Sequence, residues 1–296
     1  MVNTVKGIDL LITGHQHRTI NTRINGVQVM QCAMSAQEMM VVTLNPQTLD
    51  FTSEIISSSA YPSDPYFLEP FLETEANVQT YLDQTLGEID QDLIVKDGID
   101  ARIHKHPIVS FTNQIQFFAA KGQAQLASAA LFNQPLGFHT TITLREIVSN
   151  YIYPNTLVIK RISGKNLKMY LEQNADFFEY DGKAIRVNPR FLEPKLQLYN
   201  YDMVDGIDYE IDLQQPLGYR IVCLTYEGKT IQDDEMFTII LNNYRANGGG
   251  NFDMIAKAET VKDIQSDMVE IIEAFFRENP FVHVEHHDNI RIVQAD

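Results

Sequence analysis

The 296-residue chain has no tryptophan, which excludes nothing, and only two cysteines, Cys32 and Cys223. Two thiols so far apart in sequence cannot build a disulfide scaffold. Two buried free thiols are expected, with a single bridge as the alternative. Positive charge is scarce too: 23 Lys and Arg face 39 Asp and Glu, a net charge of −16. That balance repels phosphate backbones and argues against a nucleic-acid polymer as partner. No run of about 18 apolar residues occurs, so neither a spanning helix nor a membrane partner is expected. The segment from Met1 to His17 lacks the charged start, apolar stretch and small cleavage site of a signal peptide. Internal repeats, low-complexity tracts, a GK[ST] phosphate loop and an assignable Ser/His/Asp or Cys/His set are also missing.

What is present suits a packed protein. Hydrophobic residues make up 44% and charged ones 21%, which rules out disorder of the whole chain, and the length suits two modest domains. The first sixty residues read as strands. Ile8 to Thr13 is a short apolar run ending at Gly14, Val27 to Gln31 alternates after an Asn25-Gly26 turn, and Val41 to Leu44 stops at Asn45-Pro46. This is too little for an independent core, so residues 1–60 are expected to be the tail of a domain whose body lies upstream of Met1. Residues 61–100 read as a linker. A polar Tyr61-Pro62-Ser63-Asp64-Pro65 connector precedes a long amphipathic helix from Tyr66 to about Ile89, with Leu68, Phe71, Leu72, Val78, Leu82 and Leu86 at three- and four-residue steps.

Residues 101–296 alternate helix and strand. Helices are expected over Pro107 to about Ala120, from Leu144 behind a candidate Thr143 cap, over Asn166 to about Phe178 and over Val261 to Phe276. Strands are expected over Leu157 to Ile162, Tyr209 to Leu213, Tyr219 to Tyr226 and Met236 to Leu241. The mixture predicts an α+β fold.

Three short segments are candidates for chemistry. In Gly14-His15-Gln16-His17, two histidines follow a buried strand, and neutral imidazoles are good ligands for zinc, manganese or iron. Two solvated histidines would give the same spacing. In Asn242-Asn243-Tyr244-Arg245-Ala246-Asn247-Gly248-Gly249-Gly250, a strand runs into three glycines, a costly choice unless the backbone needs positive φ or a close approach. Either a ligand loop or a flexible surface loop satisfies that pattern. An aromatic such as Tyr244 beside it can stack on a base. In Tyr151-Ile152-Tyr153-Pro154-Asn155, Tyr153 is a candidate second jaw of a clamp with Tyr244, and Asn155 can offer its amide to a base edge. Tyrosines packed at the start of a strand are the alternative. His104 and His106 beside a loop read as solvated, and His283, His286 and His287 near the C-terminus as an exposed tail cluster, with metal binding as the alternative.

Gly14-His15-Gln16-His17 resembles the last metal-binding motif of the calcineurin-like metallophosphoesterases. Tyr151 to Leu157, Ile162 to Leu167 with Leu171-Glu172, Tyr201 to Asp212 and Asn242 to Ala246 together resemble the C-terminal domain of the 5′-nucleotidase family. The wording is nearest to its bacterial 2′,3′-cyclic-nucleotide 2′-phosphodiesterase/3′-nucleotidase branch, and the likeness runs from Ile8 to the end.

The resemblance implies a 5′-nucleotidase C-terminal domain over residues 101–296, a linker over 61–100 and a metallophosphoesterase remnant over 1–60. It also implies a parent enzyme in which two divalent metal ions, Zn, Mn or similar, activate water against a phosphate ester of a nucleotide. On this reading Tyr153 and Tyr244 are the stacking rings, and Asn155, Arg245, Gly248, Gly249 and Gly250 complete the nucleoside site. His15 and His17 are metal ligands, one to each ion. Two departures stand out. Where 5′-nucleotidases carry an arginine after a glycine run, the chain reads Ser128-Ala129-Ala130-Leu131-Phe132-Asn133, and Gly250 replaces the aspartate that ends their glycine loop. The missing arginine weakens a 5′-monophosphate reading and favours the cyclic or 3′ branch or a related nucleotidase.

The other metal ligands are expected upstream of Met1, in a metallophosphoesterase domain in cis, so the chain alone is expected to be inactive. An export signal would lie there as well, which leaves a cytoplasmic or an extracytoplasmic bacterial location open. A non-catalytic nucleotide binder that keeps the fold is the rival reading.

Overall fold

Asn25 and Gly26 both adopt positive φ, 51° and 86°, in the computed structural model, which describes residues 1–293. That pair closes the expected hairpin between Ile20–Ile24 and Val27–Gln31, because two left-handed residues give the turn whose twist matches the strands. By its internal contacts the chain divides into two units, Met1–Asn77 and Val78–Asp296.

In the first unit Val27–Gln31 is the middle of a three-stranded sheet, parallel to Leu10–Ile12 and antiparallel to Ile20–Ile24. A separate hairpin pairs Glu38–Leu44 with Phe51–Ser57. Its turn begins at Asn45, whose side chain accepts the Gln47 N–H at 2.9 Å. The only buried apolar residues of this unit are Val27, Val29 and Met30.

The helical reading of 66–89 divides. Asp64 caps Pro65–Leu68 by accepting the Tyr66 N–H at 2.9 Å, Glu69–Phe71 is a 3₁₀ turn, and Leu72–Leu82 is helical. None of the three buries a residue. Pro70 explains the interruption, since it has no N–H to continue the ladder. Thr85–Ile89 is a strand, with Gly87 and Ile89 buried at the two-residue step of a sheet. Leu86 sits at helical spacing by coincidence.

The second unit is built on a five-stranded sheet. Its order is Asp202–Asp205, Leu126–Ala130, Met236–Asn242, Thr156–Ser163 and Glu259–Asp267. Leu126–Ala130 and Met236–Asn242 run parallel, and the other neighbours are antiparallel. Pro107–Ala120 is helical as expected, with Pro107 in the first turn and Lys121 ending it in a left-handed conformation. Its Ile108, Val109, Phe111 and Ile115 enter the main core, whose members all lie at or beyond Ile89. Thr143 caps Leu144–Asn150 reciprocally with Glu146.

Two boundaries differ from expectation because a capping side chain chose them. Ser163 accepts the Asn166 N–H at 3.3 Å, so the helix runs over Gly164–Ala175 and Phe178 lies in a short strand. Asp267 accepts the Glu270 N–H at 3.0 Å, so the helix is Met268–Glu278 and residues from Glu259 to Asp267 form the outer strand. Met268, Ile271, Ile272, Phe275 and Phe276 of that helix are buried, each worth about 1.5–3 kcal/mol in transfer free energy.

Candidate functional site

Sheet order gathers the aromatic residues. Asn242 pairs with Leu157 across antiparallel strands, so Tyr244, after one strand, and Tyr153, before the other, lie at the same end of the sheet. Leu126–Ala130 runs parallel to Met236–Asn242 and delivers Phe132 to that end. Asp202 pairs with Ala130 in the next antiparallel strand, which brings Tyr199 there as well. Four neighbouring strands thus converge on Tyr199, Phe132, Tyr244 and Tyr153.

Contacts join them in two groups. Phe132 lies 6.2 Å from Tyr153 and 6.4 Å from Tyr151 between ring centroids. Tyr199 meets Tyr244 edge-on at 6.0 Å. Asn133 bridges the groups, donating to Leu196 O at 3.1 Å and accepting the Leu198 N–H at 2.9 Å. Tyr153 and Tyr244 remain 55% and 43% exposed, unusual for large rings at the rim of a packed sheet. A cavity of about 50 Å³ opens beside Phe132, lined by Gln134, Pro135, Leu136 and Asn150.

Residues 151–155 form no strand, and Tyr151 is half-buried where Tyr153 is exposed. The Tyr151 hydroxyl meets Thr112 Oγ1 at 3.1 Å, and burial pushes its pKa up to about 12. Asn155 is held by its backbone: its N–H donates to Tyr153 O at 2.7 Å, and its carbonyl accepts the Met268 N–H at 3.1 Å. Its side-chain amide makes no hydrogen bond among the described residues, so it is available to a ligand.

The glycine loop is ordered by close packing. Asn242 caps the turn Asn243–Ala246 by accepting the Arg245 N–H at 2.8 Å. A Cβ on Gly249 would lie 2.5 Å from the Tyr244 ring, and one on Gly250, where φ is +77°, would lie 2.5 Å from Arg245 and Asn200. Both positions therefore require glycine. Arg245, expected at the ligand, instead points inward and is 2% exposed. Its Nε donates to Asp202 Oδ2 at 2.5 Å, and Nη2 donates to Asp202 Oδ1 and Tyr199 O, each at 3.2 Å. Nη1 donates to Gly249 O.

Burial disfavours the Arg245 charge, but Asp202 and neighbouring phenols outweigh this, so its pKa is raised. Burial and the same carboxylate hold the Tyr170 pKa well above its ordinary value. The sequence left a pocket role open for Tyr199-Asn200-Tyr201-Asp202, read as a strand and turn, and gave Phe132 no role. The signal for Asp202 was an acid inside the apolar run Tyr201-Asp202-Met203-Val204, which demands a buried partner.

His15 and His17 lie in the other unit, exposed in the loop after Leu10–Ile12, at φ of 80° and 54°. Among the described residues no group of three or more His, Cys, Asp or Glu is arranged to hold a metal. Two imidazoles fall short of the three protein ligands of a catalytic zinc site, so the residues present do not fit a complete divalent centre. No chemical step is assigned to one.

His104 is exposed and pairs with Asp100 at 2.8 Å. His106, expected to be solvated, is half-buried and caps Pro107–Ala120 by accepting the Ile108 N–H at 3.3 Å. His283 pairs with Asp90, and His287 lies 3.5 Å from Asp205. A groove of about 350 Å³ lined by Ile103, His104, His286 and Asp288 contains no residue of the aromatic rim. Cys32 and Cys223 are free, as expected, but both are half-buried where buried thiols were expected.

Residues 85–257, which contain the whole aromatic rim and the glycine loop, match the family described as 5′-nucleotidase, C-terminal domain. The chain belongs to this family. A 2′,3′-cyclic-nucleotide 2′-phosphodiesterase/3′-nucleotidase of Salmonella typhimurium is 36% identical over 234 residues, covering 73% of this chain and 34% of that protein. Its counterpart in Haemophilus influenzae is 26% identical over 286 residues, covering 83% and 41%. A Staphylococcus aureus protein described as a candidate 5′-nucleotidase, solved with α-ketoglutarate, superposes with a TM-score of 0.85 at 29% identity. That match covers 98% of this chain and 57% of the other. The chain spans less than half the length of these two curated relatives. The α+β fold and the 5′-nucleotidase C-terminal domain read from the sequence both hold.

Proposed function

We propose that the second unit of this 5′-nucleotidase C-terminal domain protein binds the base of a nucleotide at its aromatic rim. It would serve as the substrate-binding part of a metal-dependent phosphoesterase. The substrates would be 2′,3′-cyclic nucleotides, 3′- or 5′-nucleotides or related nucleotide esters. The carrying observation is the convergence of four strand ends on exposed Tyr153 and Tyr244, with the free Asn155 amide beside Tyr153. The names of the curated relatives support the cyclic and 3′ branch.

A base inserted between two rings gains stacking energy that depends little on its identity, since every base has a π-face. Purine and pyrimidine nucleosides should therefore bind with similar affinity. Asn155 can donate or accept at a base edge and so fix orientation. Arg245, being buried, acts on the loop and not on the ligand. Two divalent ions would supply the activated water in the longer parent, with His15 and His17 among their ligands. The present donor set is too small, so the 296-residue chain is expected not to hydrolyse phosphate esters. Adenosine titrated into the chain by calorimetry tests the binding role, with Tyr153→Ala and Tyr244→Ala as controls. Unchanged affinity in both variants sinks the clamp, and metal-dependent phosphate release from 3′-AMP by this chain would refute its inactivity.

A further inference from the structure

Asp202 is a carboxylate buried in a sheet strand, a costly placement unless its charge is answered on every side. Tyr170 donates its hydroxyl to Oδ2 at 2.5 Å, and Ser128 Oγ lies 2.8 Å from the same hydroxyl. Asn174 Oδ1 accepts the Asp202 N–H at 2.8 Å. Both carboxylate oxygens receive Arg245, a two-point pairing that fixes the plane of the guanidinium. That plane stacks 4.0 Å from the Phe252 ring centroid, beyond the glycine loop. The remaining donors leave the pair outward, to Gly249 O and Tyr199 O. Gly249 N–H in turn donates to Tyr244 O at 2.9 Å.

The consequence falls on Tyr244. A Cβ on Gly249 would lie 2.5–2.6 Å from Cε1, Cζ and Cε2 alike, so the loop backbone covers one face of the ring at its phenol end. Tyr199 packs against the same ring in a T-shaped arrangement, 6.0 Å between centroids. With the loop on that side, the ring still keeps 43% of its surface exposed.

We propose that Asp202 and Arg245 are positioning residues that press Gly249 against Tyr244, so that Tyr244 offers one fixed face to a nucleoside base. This rests on the base-binding reading above. Stacking requires a flat ring at a set distance, and a ring free to rotate loses affinity through the disorder that binding must remove. Lysine at 245 would keep a charge beside Asp202, but a point ammonium cannot serve Asp202, Gly249 and Tyr199 together.

The test uses the full chain, adenosine as probe and hydrogen exchange of the 247–252 segment. In Arg245→Lys, adenosine affinity should fall at least tenfold and exchange in 247–252 should quicken, while Thr156–Ser163 keeps its protection. Gly249→Ala leaves the ion pair intact, so an equal loss of affinity there separates ring placement from fold stability. In a Tyr244→Ala background neither change should weaken adenosine binding further. Wild-type affinity with wild-type loop protection in Arg245→Lys overturns the proposal, as do losses that add fully to that of Tyr244→Ala. If the unsubstituted chain fails to bind adenosine, the base-binding reading falls. Loop exchange then decides the positioning role alone: faster in Arg245→Lys upholds it, unchanged refutes it.

Discussion

The two units differ in how their strands are held. Around Val27–Gln31 the first unit buries three apolar side chains, and its helical segments bury none. The second is built on a five-stranded sheet and strings its core from Ile89 to Ile290. Hydrophobic stabilisation scales with area removed from water, so rigidity belongs to the second unit. Rigidity is what a stacking site needs, and the rim of exposed rings stands on the stiffer sheet.

The contrast can be broken by substitution. Phe111 packs against Phe138, Phe275 and Phe276, so Phe111→Ala should destabilise the second unit by about 3–5 kcal/mol in urea unfolding. Leu68→Ala, on an exposed helix, should stay within about 0.5 kcal/mol. Equal costs would erase the distinction between the units. Next in size, Tyr153→Ala and Tyr244→Ala should each weaken adenosine binding by about 1–3 kcal/mol while leaving the melting temperature nearly unchanged. A large fall in melting temperature would instead make these rings part of the core. Thr143→Ala removes a reciprocal cap and should cost about 1 kcal/mol, read by the same denaturation.

The smallest effect is one of pH. Burial, with His286 nearby, lowers the His106 pKa, against opposition from Asp100. The unfolded chain, titrating near about 6.5, then binds a proton that the folded chain refuses. Stability contributed by neutral His106 is therefore complete above that value and is lost as pH falls toward the lower folded pKa. His139, held by Glu146, is shifted upward and has the opposite sign, adding stability as pH falls. Melting curves from pH 7.5 to 5 should show a shallower acid loss in His106→Gln than in the parent, and a steeper one in His139→Gln.

Local chemistry was readable wherever one short segment settles its own conformation. Asn25-Gly26 made its hairpin, Pro107 opened its helix and Thr143 capped the next. It misled where apolar spacing had two explanations. Leu86 and Ile264 sit at helical steps, yet both lie in strands, because Gly87 meets Phe276 and Asp267 delays the helix until Met268.

The same division runs through the site. Tyr153, Asn155, Tyr244 and the glycines were proposed for the site from their residue types and linear pattern alone. That Gly249 must lack a side chain, that Arg245 turns inward to Asp202, and that Phe132 and Tyr199 join the rim followed from strands 126–130, 156–163, 202–205 and 236–242 becoming neighbours. Residue identity sets which interactions a group is able to make. Which groups meet depends on pairing between segments distant in sequence, such as Leu126 with Ile239, and no local preference encodes that order.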